Sequence, residues 1–198
     1  MKKLILSAAM LLTIGFTANA QNIKFGVKAG LNLATLTGDV NSDVSSRTNF
    51  HAGGVVEFKV AQNFSVQPEL LYSGQGAKFD VFQDGANYET TFKFDYINIP
   101  VLAKYYIIEG FSIEAGPQVG FIVNSKMKVE IPGMGSGEVD AEEITNGVDF
   151  GIAGGLAYDL PIGLFFQARY VAGIANVIDE PNTSTQNGVF QFSVGYKF

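Results

Sequence analysis

The chain has 198 residues, 47% of them hydrophobic, with a formal charge of −6, which suits one domain with a substantial core and excludes wholesale disorder. It has no cysteine, so disulfides, thiolate metal sites, cysteine nucleophiles and an N-terminal lipid-modified cysteine are all excluded. Its 13 Lys and Arg are scattered rather than clustered, and no basic footprint for nucleic acid exists.

Lys2 and Lys3 precede an apolar run from Leu4 to Phe16, and Ala18-Asn19-Ala20 follows as a small-residue cleavage site. This is the pattern of a secretory signal peptide over residues 1–20, cleaved before Gln21, with residues 21–198 as the exported domain. The run is shorter than the ~20 residues a helical span requires, and no later stretch is long enough either. A membrane location for the rest of the chain therefore demands a closed barrel, because only helices and closed sheets satisfy every backbone polar group in lipid.

From Lys24 the sequence alternates. Phe25, Val27, Ala29, Leu31 and Leu33 share one face of a first strand, opposite Lys24, Gly26, Lys28, Gly30 and Asn32. Thr35 to Thr48 has the composition of a loop. A second strand sets Phe50, Ala52, Gly54, Val56 and Phe58 against His51, Gly53, Val55, Glu57 and Lys59. After a short turn at Ala61-Gln62-Asn63, a third sets Phe64, Val66, Pro68, Leu70 and Tyr72 against Ser65, Gln67, Glu69, Leu71 and Ser73. Pro68 lacks a ladder donor and predicts a local irregularity. Gly74 to Asn87 reads as a second long loop whose arms extend the flanking strands.

The fourth strand places Tyr88, Phe92, Phe94 and Tyr96 on one parity and then Ile97, Ile99, Val101, Ala103 and Tyr105 on the other. This change of phase near Asp95 to Ile97 predicts a β-bulge at the membrane boundary. A turn at Ile108-Glu109-Gly110 leads to a fifth strand, with Phe111, Ile113, Ala115, Pro117, Val119, Phe121 and Val123 on its apolar face. Ser125 to Asn146, holding Gly133 to Gly137 and the acids Glu138, Asp140, Glu142 and Glu143, is expected to be a third loop. The sixth strand opposes Val148, Phe150, Ile152, Leu156 and Tyr158 to Asp149, Gly151, Ala153, Gly155 and Asp159. Leu160 to Gly163 turns into a seventh, with Leu164, Phe166, Ala168 and Tyr170 opposite Gln167 and Arg169, and Phe165 a candidate for the latter face. A last loop, Asn176 to Asn187, precedes the closing strand, where Phe190, Phe192, Val194, Tyr196 and Phe198 alternate with Gln191, Ser193, Gly195 and Lys197.

Long links follow the odd strands and short links the even ones. Together these features predict an all-β fold, an eight-stranded antiparallel up-and-down transmembrane barrel with termini and short turns on the periplasmic side. Val189 to Phe198 should pair with Lys24 to Leu33, so that the sheet has no edge.

Several segments resemble the PorT-like, porin-family small outer-membrane β-barrel proteins common in Bacteroidota. They are the opening Phe25-Gly26-Val27-Lys28-Ala29-Gly30-Leu31-Asn32, the stretch from Tyr96-Ile97-Asn98-Ile99-Pro100 to Tyr105, Glu114-Ala115-Gly116-Pro117 and the terminal Tyr196-Lys197-Phe198. The resemblance implies an outer-membrane location. It also implies contact with outer-membrane lipid and with the insertion machinery during biogenesis, for which Tyr196 and Phe198 resemble the C-terminal assembly signal.

Inward parity gathers Lys28, Glu57, Lys59, Glu69, Lys104, Glu114, Asp149 and Arg169, with Lys24, Lys197 and Asp159, into charges of nearly balanced sign. Side chains fill the interior of an eight-stranded barrel, so these groups are expected to brace the wall as a paired network. His51, the only histidine, has no serine placed beside it by spacing, which disfavours a hydrolase. Gly133 to Gly137 lacks the Lys-Ser/Thr of a phosphate loop, and the acids after it miss the spacing of a calcium loop. The expectation is a monomeric, non-enzymatic barrel without cofactor or metal, serving the envelope structurally, binding an extracellular ligand through its loops or passing small solutes. A lipid-modifying outer-membrane enzyme and a soluble periplasmic lipocalin-like barrel are the alternatives; the latter would need an apolar lumen and a polar exterior.

Overall fold

The computed structural model describes residues 23–38, 44–83, 86–131, 135–141, 145–177 and 184–198. The expected signal peptide, Gly133 and Glu142 and Glu143 lie outside them. Nine strands run in chain order: β1 (Ile23–Gly38), β2 (Val44–Ala61), β3 (Phe64–Gln83), β4 (Ala86–Ile108), β5 (Phe111–Ile131), β6 (Gly135–Asp140), β7 (Val148–Asp159), β8 (Leu164–Gly173) and β9 (Thr185–Lys197). Every neighbouring pair is antiparallel.

Eight of the strands form a closed ring of hydrogen bonds, β1-β2-β3-β4-β5-β7-β8-β9 and back to β1. Closure occurs where the alternation places it, from Gly26↔Lys197 to Gly38↔Thr185. The ninth strand, β6, pairs only with the far end of β5, Lys126↔Asp140 to Ile131↔Gly135. The segment expected as a loop from Ser125 to Asn146 is thus largely a hairpin. Likewise β3 and β4 stay paired from Phe64↔Tyr105 to Gln83↔Ala86, so the arms expected to extend the flanking strands run as strand as far as Gln83 and Ala86. Glycine and acidic residues suit solvent as well as loops, and here they mark a sheet that stands in solvent.

The wall is uneven in height. β3, β4 and β5 have 20, 23 and 21 residues, against 12, 10 and 13 in β7, β8 and β9. A tilted membrane-crossing strand needs about 9–11 residues. The surplus of three adjacent strands, with β6 added, projects beyond any lipid layer as a sheet. At the opposite end lie the tight turns after β2, β4 and β7 and both ends of the described barrel, tied by Phe198 N donating to Phe25 O at 2.8 Å.

Outward positions are apolar and open, among them Phe25 at 54%, Leu70 at 58%, Ile152 at 58% and Phe192 at 52% exposure. Such a continuous belt on an isolated chain calls for a covering layer, here lipid. Tyr170 and Phe190 (centroids 4.6 Å apart) and Phe50 and Tyr72 (5.5 Å) stack across strands on this surface.

The bulge near Asp95 is present, but on the neighbouring strand. Asp95 faces Asn124 and Tyr96 faces Ile122, leaving Val123 of β5 as the extra residue. β4 itself keeps one phase, so Phe94 and Tyr96 point inward with Asn98, Leu102 and Lys104 and are fully buried. The expectation of outward aromatics there is corrected: an apolar parity marks lipid or an apolar layer inside the barrel, and pattern alone does not separate them. Around Pro68 the register is unchanged, with named pairs passing from Pro68↔Val101 to Leu71↔Asn98.

Candidate functional site in the barrel lumen

Inward side chains stack in layers. Nearest the short turns, Lys197 Nζ donates to Glu57 Oε2 at 2.5 Å and Asp159 Oδ1 at 2.6 Å, and Lys104 Nζ reaches Asp159 Oδ2 at 3.3 Å. The Tyr106 hydroxyl lies 2.5 Å from Glu57 Oε1 and 2.9 Å from Asp159 Oδ2. The two ammonium groups also sit over aromatic rings, Lys197 at 4.8 Å from the Phe165 centroid and Lys104 at 5.4 Å from that of Tyr106. Phe165 thus joins the inward face with Gln167 and Arg169.

The next layer is a buried tetrad. Arg169 binds Glu69 through both terminal nitrogens, at 3.0 and 2.8 Å, and Glu114 through Nε at 2.9 Å. Lys28 Nζ lies 2.8 Å from Glu69 Oε2 and donates to Gln167 Oε1 at 2.6 Å. Gln167 Nε2 and Gln67 Nε2 complete the carboxylates of Glu114 and Glu69, both at 2.7 Å. Lys104 Nζ, 3.3 Å from Gln67 Oε1, links the two layers. Two positive and two negative groups, each with several hydrogen bonds, satisfy the condition under which buried charge is tolerated.

Of the residues expected in this network, Lys28, Glu69, Glu114 and Arg169 form the tetrad, and Glu57 and Lys104 belong to the layer below it. Lys59 does not join. It is exposed at the end of β2 beside the β2–β3 turn, where it pairs with Ser65. Lys24, at the same end, is also exposed. Asp149 stands apart near the tall end of the barrel, hydrogen bonded by Asn187 Nδ2 at 2.7 Å.

Above the tetrad, His51 is fully buried and bridges two side chains that the spacing did not bring to it. Its Nε2 is 2.7 Å from Ser193 Oγ and its Nδ1 is 2.7 Å from Asn32 Oδ1. Asn32 Oδ1 also accepts from Gln191 Nε2 at 3.1 Å, while Asn32 Nδ2 donates to Ser73 Oγ at 2.9 Å and Gly74 O at 2.8 Å. An amide oxygen only accepts, so Nδ1 carries the proton and Nε2 accepts from the serine. Register explains the contact: Gly30 of β1 lies between Ser193 of β9 and His51 of β2, and its missing side chain lets the imidazole reach across. A Cβ at Gly30 would stand 2.8 Å from His51 Cε1 and 2.0 Å from Phe192 O. The expectation that no serine accompanies His51 is therefore corrected; the partners are 142 residues apart in sequence and adjacent only through the closing seam.

Apolar layers seal the rest. Ala34, Leu102, Ala153, Val171 and Val189 form one cluster. Leu36, Ala77, Phe94, Tyr96 and Val177 form the second, with Val44, Phe79, Phe92 and Ile122 packed on it. No group of three or more His, Cys, Asp or Glu side chains able to hold a metal occurs among the described residues.

On the projecting sheet the Val123 bulge turns Lys126 and Lys128 to the same outer face as Lys93. There Glu138 accepts from Lys93 at 2.7 Å and Lys126 at 2.9 Å, and Lys78 binds Glu89 at 2.7 Å. The two ammonium donors hold the Glu138 carboxyl down to about 2.

The fold has solved counterparts. It is similar to the attachment invasion locus protein Ail of Yersinia pestis, with a TM-score of 0.57 and 13% identity over 89% of this chain and 99% of that one. It is also similar to Neisserial surface protein A, with a TM-score of 0.51 and 11% identity over 88% of this chain and 97% of that one. At these identities the likeness is one of fold, a small eight-stranded outer-membrane barrel. No curated protein matches the sequence. The model of the outer membrane protein beta-barrel domain matches residues 19–179, and with it the closed ring, the apolar belt and the filled lumen converge: the chain belongs to that outer-membrane family.

Proposed function

We propose that this protein is a non-enzymatic, closed outer-membrane barrel that anchors an extracellular binding platform, the sheet raised by β3 to β6. The observation that carries the reading is the filled lumen, two ion-paired layers capped by two apolar ones. It leaves the tall sheet, and not the interior, as the surface offered to a ligand. Export through a cleaved segment 1–20, kinship with the PorT-like proteins, recognition of Tyr196 and Phe198 by the insertion machinery, and a monomeric state fit the same reading. Tyr196 and Phe198 are 48% and 72% exposed on the outer wall, where an assembly factor would meet them. In planar lipid bilayers the purified barrel should give no stable large conductance steps; such steps would overturn the closed-lumen reading.

The Ser193–His51–Asn32 relay favours a second reading, since its connectivity is that of a nucleophile, a base and an orienting group. Enclosure argues against it: Ser193 is 7% exposed, and His51 and Asn32 are fully buried. The folded protein should not react with a fluorophosphonate and should not deacylate lipopolysaccharide. Labelling of Ser193, or deacylation that disappears in His51→Ala, would make the relay catalytic.

A further inference from the structure

β6 ends the sheet: among the described residues it pairs with β5 alone. It continues, above Phe121↔Val148, the lane that β7 holds beside β5. The next lane is that of β8, which stops at Gly173 opposite Gly151, below the height of β6. No described strand stands beside β6 there.

Register shows which backbone groups are free. Ala141 N donates to Ser125 O at 3.0 Å, so Ala141 and Ser125 form a hydrogen-bonded pair of the antiparallel ladder. Such pairs recur at every second residue, which turns the amides of Val139 and Gly137 toward β5 and those of Ser136, Glu138 and Asp140 away from it. The edge therefore offers a row of donors and acceptors to an incoming chain. Proteins blunt such an edge with a proline, a bulge or an inward charge. β6 has no proline, its pairing with β5 runs unbroken from Asp140 to Gly135, and its inner positions are Gly135, Gly137 and Val139.

The two faces beside this edge differ. On the inner one Val139 is 53% exposed, at the margin of an apolar surface that continues through Met127 to Phe92 and Phe79. A Cβ at Gly135 or Gly137 would meet no described atom within 4 Å, which leaves room for large side chains of a neighbouring strand. On the outer face the side chains nearest the edge are Glu138 and Asp140, with Lys126 and Lys93 farther back.

We propose that the free edge of β6 receives an extended peptide as an added antiparallel strand. Its apolar side chains lie over Val139 and the two glycines, and the alternate ones, basic, lie beside Glu138 and Asp140. A second copy of this chain fits worse. Two barrels in one membrane stand the same way up, so a two-fold axis along their strands would continue the apolar inner face of one sheet with the charged outer face of the other. The inference rests on the platform reading and gives the platform a partner class.

The test uses the full-length protein in nanodiscs of zwitterionic lipid and a short fluorescent peptide alternating lysine and valine, read by anisotropy against empty nanodiscs. Binding should saturate. It should fall about tenfold or more for a peptide of the same composition in two blocks, and for one methylated on its lysine amide nitrogens, which an antiparallel strand turns toward β6. Ser136→Pro combined with Asp140→Pro removes edge donors without touching a bond to β5, and should weaken the alternating peptide to the same degree. The methylated peptide reads the same bonds on the unaltered protein, so it decides the matter if the prolines disturb the hairpin. Absence of saturable binding, or binding that survives either change, would overturn the proposal. So would a protein dimer in sedimentation that the prolines dissociate, because the edge would then belong to a second copy. Conductance tests the platform reading separately: a barrel that stays closed yet binds no peptide loses the edge pairing and keeps the platform.

Discussion

Arg169→Met is expected to lower the unfolding free energy of the barrel by about 3–5 kcal/mol, because it strands the buried carboxylate of Glu114 and takes two hydrogen bonds from that of Glu69. Glu69 would keep Lys28 and Gln67, but Glu114 would retain only the neutral Gln167 amide. Urea unfolding followed by the loss of the compact, heat-modifiable gel band measures the change. The tetrad tolerates replacement as a whole better than in part. Lys28→Met, Glu69→Leu, Glu114→Leu and Arg169→Met combined remove every charge at once and should recover most of the loss. If the single change proved neutral, the tetrad would not be closed to water as the geometry has it.

Gly30→Ala should be nearly as damaging, although it adds one methyl group. That methyl would meet the Phe192 carbonyl oxygen at 2.0 Å and the His51 ring at 2.8 Å, and the first of these is backbone at the seam between β1 and β9. Overpacking of a rigid site costs about 1–3 kcal/mol, and parting β1 from β9 would add the loss of the Ser193–His51 contact. Gly54→Ala is the control, since a Cβ there meets nothing nearer than 3.9 Å. In refolding into lipid vesicles, Gly54→Ala should reach the closed, heat-modifiable form and Gly30→Ala should reach it poorly. Equal yields would show that the seam adapts.

Most of the wall was legible in the sequence because a strand exposes its two faces to two different solvents. Phe190 to Phe198 face lipid and Gln191 to Lys197 face the interior, and the same rule located Lys28, Glu69, Glu114 and Arg169. Parity says which side of the wall a residue takes, but not what it meets across the lumen; that depends on the stagger of the strands around the ring. Ser193 and His51 could be paired only once β9 was placed beside β1 in register. Phe94 and Tyr96 were misplaced because lipid and the apolar cap of the lumen select the same residues. The hairpin of β5 and β6 was hidden for a different reason: Gly135 to Asp140 is fully solvent-exposed and carries no burial pattern to reveal a strand.

The tetrad draws its four charges from β1, β3, β5 and β8, and no two of these strands are neighbours in the ring. Its ion pairs therefore cannot form hairpin by hairpin as the chain emerges. An open sheet would hold Lys28, Glu69, Glu114 and Arg169 hydrated and far apart, and only the meeting of the first strand with the last brings them within reach. Closure of the wall and neutralisation of its interior are then a single event. The buried charges act as a latch on the finished cylinder, adding nothing to the partly built one.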